Sequence, residues 1–330
     1  MTAAPPVSAG RAILPYQIVM AITMGAIGGI IAVLGELRDE LGFADSEIGI
    51  IVTAGFVASF VAQIVLSPFA DRGYGRQMAI AGTVLSIGGL LLMVVADTLA
   101  VWTLARGVLG FAGGMLMPGI RRAVTVLDPD RAGENLGRLV IGEVAGFTGG
   151  PVVAAVLVEV GDLRLPFLVF AVVVALFVPF VVRLPADTGR KTERTVSAFG
   201  LLRARRLQGA LILVFGYFLL IGAFESVVPL MFKDRGGGAL ETGAAFTLFS
   251  IPIVLVSKHA GRVADRSSGA TVAAIGMGVS AGFSALYGVV PGIWLLIGSM
   301  VAVGVADGYG FIGGQVAVSR SVPELSLIHI

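Results

Sequence analysis

The sequence contains no cysteine, only two histidines (His259 and His329) and only three lysines among its 330 residues. Without cysteine, the chain can form no disulfide, thiolate metal site or cysteine nucleophile. Two histidines leave almost nothing for a histidine-based metal cluster or a histidine-dependent catalytic triad. No lysine follows a glycine, so the phosphate-binding loop of nucleotide hydrolases, which ends in Gly-Lys, is excluded. The composition therefore argues against an enzyme.

Charged side chains are also scarce, at 13% of the residues, which is about half the share in an ordinary soluble domain. Hydrophobic residues make up 56% of the chain, and 47 glycines add further positions without a polar side chain. The mean hydropathy is +0.96. A soluble globule of this size cannot bury so much apolar surface, so most of the chain is predicted to lie in a lipid bilayer.

Apolar runs long enough to cross a bilayer occur ten times, since a crossing needs roughly 17 to 25 helical residues. Only helices and closed barrels satisfy the backbone in lipid, and these runs lack the alternation of a barrel. The predicted fold class is therefore an all-α polytopic membrane protein. The predicted spans are Leu14–Leu34, Ile48–Leu66, Met78–Val95, Val101–Ile120, Leu139–Val158, Pro166–Val182, Gly209–Met231, Thr242–Ser257, Thr271–Val290 and Gly292–Val318.

The basic residues indicate the orientation, because they are enriched on the cytosolic side of membrane proteins. With a cytosolic N-terminus, 18 Lys and Arg residues fall on the cytosolic side and 4 on the outer side. The segment Met1–Arg11 has neither the basic region nor the cleavage site of a signal peptide, so it is predicted as a cytosolic tail. We expect a multi-pass protein of the cytoplasmic (inner) membrane.

The longest polar segment, residues 183–208, carries seven basic residues and separates six spans from the other four. We predict an N-terminal six-helix bundle over 1–182, a cytosolic basic linker over 183–208 and a partial C-terminal bundle of four helices over 209–324. Two interpretations of the end of the linker remain open: an amphipathic helix on anionic lipid headgroups, or a solvated connection.

Two polar segments in equivalent places of the two bundles share the pattern Ala-Asp-Arg-x-x-Gly. The first, Ala70–Gly75, follows span two, and the second, Ala264–Gly269, follows span eight and lies 194 positions later. Equivalent segments in two halves indicate an internal duplication, which is typical of secondary transporters.

At these residues the sequence resembles the major facilitator superfamily (MFS), whose signature between spans two and three reads Gly-x-Leu-Ala-Asp-Arg-x-Gly-Arg-Lys. The segment Ala70–Arg72 and Arg76 match it, whereas Ser67 replaces the leading glycine, which the second copy keeps as Gly261. The resemblance implies two pseudo-symmetric helix bundles, with 10 transmembrane helices present of an expected 12. It also implies a conformational-switch loop made of Asp71, Arg72, Gly75, Arg76, Gly261, Asp265 and Arg266.

Span five contains a glycine at every fourth position, Gly142, Gly146 and Gly150, followed by Pro151. This run resembles the antiporter motif of the family, which is associated with efflux exchangers. Interpreted from the residues alone, it is a helix-packing motif, because the glycines form a groove for another helix and Pro151 bends the chain. Both interpretations remain open, since glycines at the same spacing occur in other spans.

Ionisable side chains inside lipid are costly and usually functional. The predicted spans contain four: Arg106, Glu143, Glu225 and Asp307. Arg106 is also similar to the family's Arg-x-x-Gln-Gly pattern in span four, with Leu109 in the glutamine position. The resemblance places spans one, four, seven and ten around a central cavity, so Arg106, Glu225 and Asp307 fall on cavity-lining spans. Together with Glu143 of span five they are the candidates for a substrate and proton cavity. For Glu143 a second interpretation stays open, in which its side chain extends toward the lipid headgroups on the cytosolic side.

Arg106 and Glu225 are predicted to form an ion pair across this cavity. Arg106 lies about 8 Å below the outer end of span four, and Glu225 about 9 Å below that of span seven, at 1.5 Å per residue. Pairing would offset much of the cost of burying either charge. Separation of the two bundles would then let Glu225 take up a proton, which couples protonation to the outward-open state.

Two segments near the C-terminus are interpreted as having no functional role. Residues Gly308–Gly313 fit the dinucleotide pattern Gly-x-Gly-x-x-Gly, but they lie within a predicted span and follow no strand, so we reject a nucleotide cofactor. We expect no cofactor and no metal. Residues 325–330 are the translation of the start of a transposase adapter used for sequencing libraries, so we expect them, including His329, to be an artefact.

The predicted function is secondary active transport of a small organic solute by alternating access, as proton-coupled efflux (antiport). The alternative is proton- or ion-coupled uptake of a small metabolite. A non-transport membrane scaffold or sensor is disfavoured, because buried charges in cavity-lining spans have no use in a scaffold. The expected partners are a small-molecule substrate, protons and membrane lipids, with no nucleic acid, and the chain is expected to be a monomer.

Overall fold

The computed structural model describes residues 9–127, 131–184, 204–289 and 291–321. The described residues form ten α-helices and one π-helical turn, Ala70–Tyr74, without a β-strand, which confirms the all-α fold class. The α-helices are α1 (Ala9–Leu41), α2 (Asp45–Phe69), α3 (Gly75–Val94), α4 (Leu99–Leu127), α5 (Ala132–Val160), α6 (Leu165–Val182), α7 (Arg205–Asp234), α8 (Ala239–Arg266), α9 (Gly269–Leu286) and α10 (Ile293–Ser321).

Nine helical stretches within these ranges are long and apolar enough to cross a membrane. One of them, Asp45–Val94, has 50 residues, and a straight helix of that length would measure about 75 Å, more than twice the hydrocarbon thickness. Gly73 interrupts it with a φ of 98°, a left-handed conformation that glycine adopts without a steric penalty. The stretch therefore comprises two helices, α2 and α3, each long enough to cross a bilayer.

At two helix starts, a glutamate side chain accepts a hydrogen bond from a backbone amide that an α-helix leaves unbonded. At the start of α2 the Ala44 amide donates to Glu47 Oε2 at 2.7 Å. At the start of α8 the Gly238 amide donates to Glu241 Oε2 at 2.9 Å. Both glutamates lie three residues after the capped amide, so the same local device begins two helices that are 194 positions apart.

The described helices fall into two compact units. The first contains α1 to α6 together with Gly238–Gly243 at the start of α8. In it, α5 packs along α1, and α4 packs against α2 and α3. A fully apolar core joins α1, α4, α5 and α6 through Val19, Met20, Leu116, Ile120, Leu139 and Val181.

The second unit contains α7, the rest of α8 from Ala244, α9 and α10. Here α9 packs along α10, and α7 contacts both. An aromatic cluster joins α7, α8 and the end of α9, with the Phe224 ring 4.8 Å from Phe249, 5.3 Å from Phe246 and 6.1 Å from Tyr287, between centroids.

The two units repeat the same helix contacts at a constant offset of 194 residues. In the first, Gly110 of α4 lies so close to the Gly55 carbonyl of α2 that a Cβ there would overlap it. In the second, Gly304 of α10 stands in the same relation to the Phe249 carbonyl of α8. Three further pairs of contacts obey this offset: Gly114–Ser59 with Gly308–Ile253, Gly119–Ala79 with Gly313–Ala273, and Gly82–Ala112 with Gly276–Ala306.

Several helices continue past the predicted spans, which follow the apolar runs alone. The predicted switch loops are largely helical: Asp71 and Arg72 lie in the π-helical turn, Arg76 lies in the first turn of α3, and Asp265 lies in the last turn of α8. Polar residues at a membrane surface can still be helical, since they extend the helix into water. Of the predicted linker 183–208, residues 205–208 belong to α7, whereas 185–203, like 325–330, lie outside the described residues.

Candidate functional site

The four charged residues predicted inside the spans are all buried in helices. Their exposed fractions are 2% for Arg106, 5% for Glu225, 5% for Asp307 and 8% for Glu143. Each lies in the helix that contains its predicted span: α4, α7, α10 and α5, in the same order. Burial at this level makes an ionised group costly unless neighbouring polar groups stabilise it, so the contacts of each side chain decide what it can do.

Arg106 lies inside the first unit, between α1 and α2. Its NH1 donates a hydrogen bond to the carbonyl oxygen of Ile27 at 3.2 Å. The stem of the side chain crosses Gly55 of α2 at very short range. The guanidinium is therefore directed to the backbone of α1 across the face of α2.

Asp307 lies inside the second unit, where the hydroxyl of Ser280 on α9 donates to its Oδ1. One turn further along α10, the Gly310 backbone faces the ring of Tyr217 on α7. The Tyr217 ring also packs on Phe311 with a centroid distance of 5.6 Å. Asp307 is thus a buried carboxyl group whose neighbourhood combines one hydroxyl donor with aromatic surface.

Glu225 follows Phe224 on α7 and is buried within the second unit. The predicted Arg106–Glu225 pair would join residues of different units and stays a prediction. Glu225 and Asp307 belong to the same unit, which therefore holds two buried carboxyl groups.

Glu143 has an ion-pair partner that the sequence reasoning missed. Arg121 of α4 donates through NH2 to Glu143 Oε2 at 2.7 Å and through Nε to Oε1 at 3.3 Å. The Arg121 side chain is 43% exposed and that of Glu143 is 10% exposed. The predicted span four ends at Ile120, whereas α4 continues to Leu127 and includes Arg121. The pair favours the interpretation that Glu143 reaches toward the end of the bundle.

The predicted switch residues around Gly73 form a compact turn. Asp71 is exposed and makes no ion pair within the part of the chain that the structure describes. The Arg72 guanidinium lies over the Phe69 ring at 5.2 Å from its centroid. Arg76 reaches α6, where NH2 donates to the Val182 carbonyl at 2.7 Å, so its positive charge meets the negative end of the α6 dipole.

The second copy is arranged differently. Arg320, at the end of α10, pairs with Asp265 at 2.8 Å between NH2 and Oδ1 and also donates to the Ala264 carbonyl at 3.3 Å. Arg266 ends α8 and is exposed. Gly261 has no tight contact in its helix. Arg320 contacts the Asp265 carboxylate of this copy, whereas the exposed Asp71 carboxylate of the first copy makes no ion pair with a described residue.

The glycines of span five pack α5 onto α1. A Cβ on Gly146 would overlap the carbonyl oxygen of Ala21, and the same holds for Gly150 against Gly25. A Cβ on Gly142 would lie 2.7 Å from another α1 carbonyl oxygen. The Pro151 carbonyl in turn faces Gly243, near the start of α8, within the same unit. The run is thus a backbone-to-backbone helix contact.

One polar contact in the second unit has no sequence signal. His259 Nδ1 of α8 lies 2.6 Å from the Tyr309 hydroxyl of α10. The two residues are 50 positions apart, and neither belongs to a motif. Among the described residues no group of three or more His, Cys, Asp or Glu side chains has the arrangement of a metal site.

One family model, which describes the Major Facilitator Superfamily, matches residues 17–326. The chain belongs to this superfamily. Its membership confirms the resemblance noted from the sequence and establishes a multi-pass membrane protein of a transporter family.

Curated relatives match part of the chain. It is 31% identical over 147 residues to the quinolone resistance protein NorA of Staphylococcus aureus. It is 27% identical over 143 residues to the uncharacterized transporter YgaY of Escherichia coli O157:H7. Each match covers 43% of this chain and 36% of the relative. The chain therefore spans about a third of the length of these relatives.

Solved structures match nearly the whole chain. A bacterial homolog of the human lysosomal transporter Spinster, inward-facing and unoccupied, aligns with a TM-score of 0.77 at 11% identity, over 97% of this chain and 79% of that one. The nucleoside transporter NupG aligns with a TM-score of 0.74 at 17% identity, over 96% and 83%. At such identities the likeness shows the fold.

Proposed function

We propose that the protein is a secondary transporter that moves a small organic solute across the cytoplasmic membrane by alternating access, in exchange for protons. Membership of the superfamily supports transport across a membrane. The direction, the coupling ion, the cytoplasmic membrane and the cytosolic N-terminus belong to the proposal.

The observation that carries it is the distribution of buried charge over the duplicated halves. At the offset of 194, Arg106 corresponds to Met300, Glu225 to Ile31, and Asp307 to Gly113. Met300 and Ile31 are fully buried apolar residues, so each bundle folds with an uncharged side chain at the equivalent place. The three charges are therefore not a requirement of the helix packing. Buried charge that packing does not require is typical of a substrate or proton pathway.

Two buried carboxyl groups in one unit support proton coupling. A carboxyl group in an apolar bundle can exist in neutral and ionised forms, and the balance between them changes with the charge and solvent it faces. Glu225 and Asp307 are thus our candidates for the proton acceptors, and Arg106 is the candidate counter-charge. Glu143, which is already held by Arg121, is a weaker candidate.

Efflux is the preferred direction, because the relative NorA is named for quinolone resistance and because span five resembles the family's antiporter motif. Uptake of a small metabolite is the second candidate, since NupG, a nucleoside transporter, has the same fold.

The proposal is tested in a bacterial host that lacks its own efflux pumps, challenged with a panel of drug-like amphiphiles. We expect the chain to raise the tolerated concentration of some compounds, and Asp307→Asn to abolish this protection. The matched control is Glu134→Gln, which replaces an exposed carboxylate on α5 whose ion pair among the described residues is with Arg138; this variant should protect fully. Absence of protection together with proton-driven accumulation of a metabolite would reverse the direction, and absence of both would refute transport.

A further inference from the structure

Gly55 of α2 is the residue over which the Arg106 side chain passes. A Cβ built on Gly55 would lie 2.6 Å from Arg106 Nε and 3.0 Å from both Cγ and Cδ. Real Cβ atoms do not approach heavy atoms so closely, so any side chain at position 55 would displace Arg106 or the helix that carries it. The terminus of Arg106 meanwhile bonds to the Ile27 carbonyl of α1.

The duplicated half provides an internal control for this glycine. Gly304 approaches the Phe249 carbonyl as closely as Gly110 approaches the Gly55 carbonyl. Position 249, which corresponds to position 55, carries a full phenylalanine side chain. The close approach of the two helices therefore requires glycine on α4 or α10, and does not require it on α2 or α8.

What differs between the halves at this place is the side chain opposite. Arg106 of α4 corresponds to Met300 of α10, which is fully buried. A methionine thus coexists with a large neighbour, since its flexible, uncharged stem packs wherever space remains. An arginine whose guanidinium must reach one backbone carbonyl has no such freedom.

We propose that Gly55 is a positioning residue for Arg106: the missing side chain leaves the passage through which the guanidinium reaches α1. Gly55 acts only through Arg106. The consequence for transport rests on the proposed function, whereas the packing relation between the two residues does not.

The transport test uses Gly55→Ala in the full chain. We expect transport to become at least about tenfold slower and its pH profile to change. A displacement of about 1 Å in a positioned group can lower a rate by even more. Gly49→Ala on α2 and Gly107→Ala beside Arg106 are matched controls, since a Cβ at either place meets no atom within 4 Å. Both controls should transport normally. A Gly55→Ala variant that transports like its controls would overturn the proposal.

The packing test is a double-mutant cycle read by thermal unfolding, which needs no transport. Gly55→Ala is expected to lower the melting temperature of the chain with Arg106, and to change it little in the Arg106→Met background, which copies the other half. An equal loss in both backgrounds would show that Gly55 serves the backbone contact and would overturn the proposal. If the unsubstituted chain moves no solute, the proposed function fails, and this cycle still decides the role of Gly55.

Discussion

In the proposed mechanism, proton coupling depends on an ion pair between Arg106 and Glu225. If Glu225 is the proton acceptor, Glu225→Gln removes the exchangeable proton while keeping the shape of the side chain. We expect this variant to lose solute movement driven by a pH gradient but to retain solute exchange, and Arg106→Ala to lose both.

The measurement is transport in reconstituted vesicles with and without a pH gradient. Gradient-driven transport that survives Glu225→Gln unchanged would contradict the Arg106–Glu225 pair, and the proton site would then be assigned to Asp307, where the Ser280 hydroxyl already contacts the carboxyl group.

The Arg121–Glu143 pair is expected to contribute to stability. Arg121→Ala leaves the nearly buried Glu143 carboxylate without its bidentate partner, and we expect a loss of about 1–2 kcal/mol in stability, less than for a fully buried pair because Arg121 is partly exposed. Arg138→Ala removes the exposed pair with Glu134 and should change stability by less than about 0.5 kcal/mol. Thermal unfolding in detergent compares the two variants. Equal shifts in melting temperature would contradict a larger stabilising role for the Arg121–Glu143 pair.

At the scale of helices, the contact between α1 and α5 depends on backbone proximity. Gly146→Ala places a methyl group onto the Ala21 carbonyl, so the helices must separate, at a cost of about 1–3 kcal/mol. Gly149→Ala lies on the same helix, where a Cβ meets no atom within 4 Å, and should be neutral or slightly stabilising. Membrane abundance and melting temperature check this, and a stable Gly146→Ala variant would refute the tight contact.

Asp71, in the π-helical turn after α2, and Asp265, in the last turn of α8, should respond differently to loss of their carboxylates. Asp71→Asn changes an exposed group, so we expect normal abundance with impaired turnover, as for a residue that biases a conformational equilibrium. Asp265→Asn weakens the contact with Arg320 and should lower the melting temperature modestly, by about 0.2–1 kcal/mol in stability. Normal transport by Asp71→Asn would contradict a role of Asp71 in the conformational equilibrium. The turn would then serve only to orient the chain in the membrane.

At the scale of the whole molecule, the absence of cysteine makes the topology directly measurable. Ser46→Cys, in the first turn of α2, and Ser267→Cys, between α8 and α9, both replace exposed serines. With a cytosolic N-terminus, a membrane-impermeant thiol reagent added to intact cells should label position 46 and should leave position 267 unlabelled until the membrane is opened. The reverse pattern would invert the proposed orientation.

Helix existence and fold class follow from the sequence alone, because a bilayer admits few backbone arrangements and each crossing needs a long apolar run. The duplication was also visible, since the segments beginning at Ala70 and Ala264 repeat one pattern. Helices such as α8 extend beyond the apolar runs that predicted the spans, because hydropathy reports where lipid ends and a helix continues into water. The expected twelve-helix total stays a prediction.

The sequence by itself determined that the chain is an all-α membrane protein with four charges inside its spans, since burial in lipid is a matter of local composition. Only the tertiary structure decided what those charges contact: Arg121 for Glu143, Ser280 for Asp307, and the Ile27 carbonyl beyond Gly55 for Arg106. The reason is physical. Each contact joins residues from different helices, at separations of 22, 27 and 79 positions, and such pairing depends on how the helices pack, which no local pattern specifies.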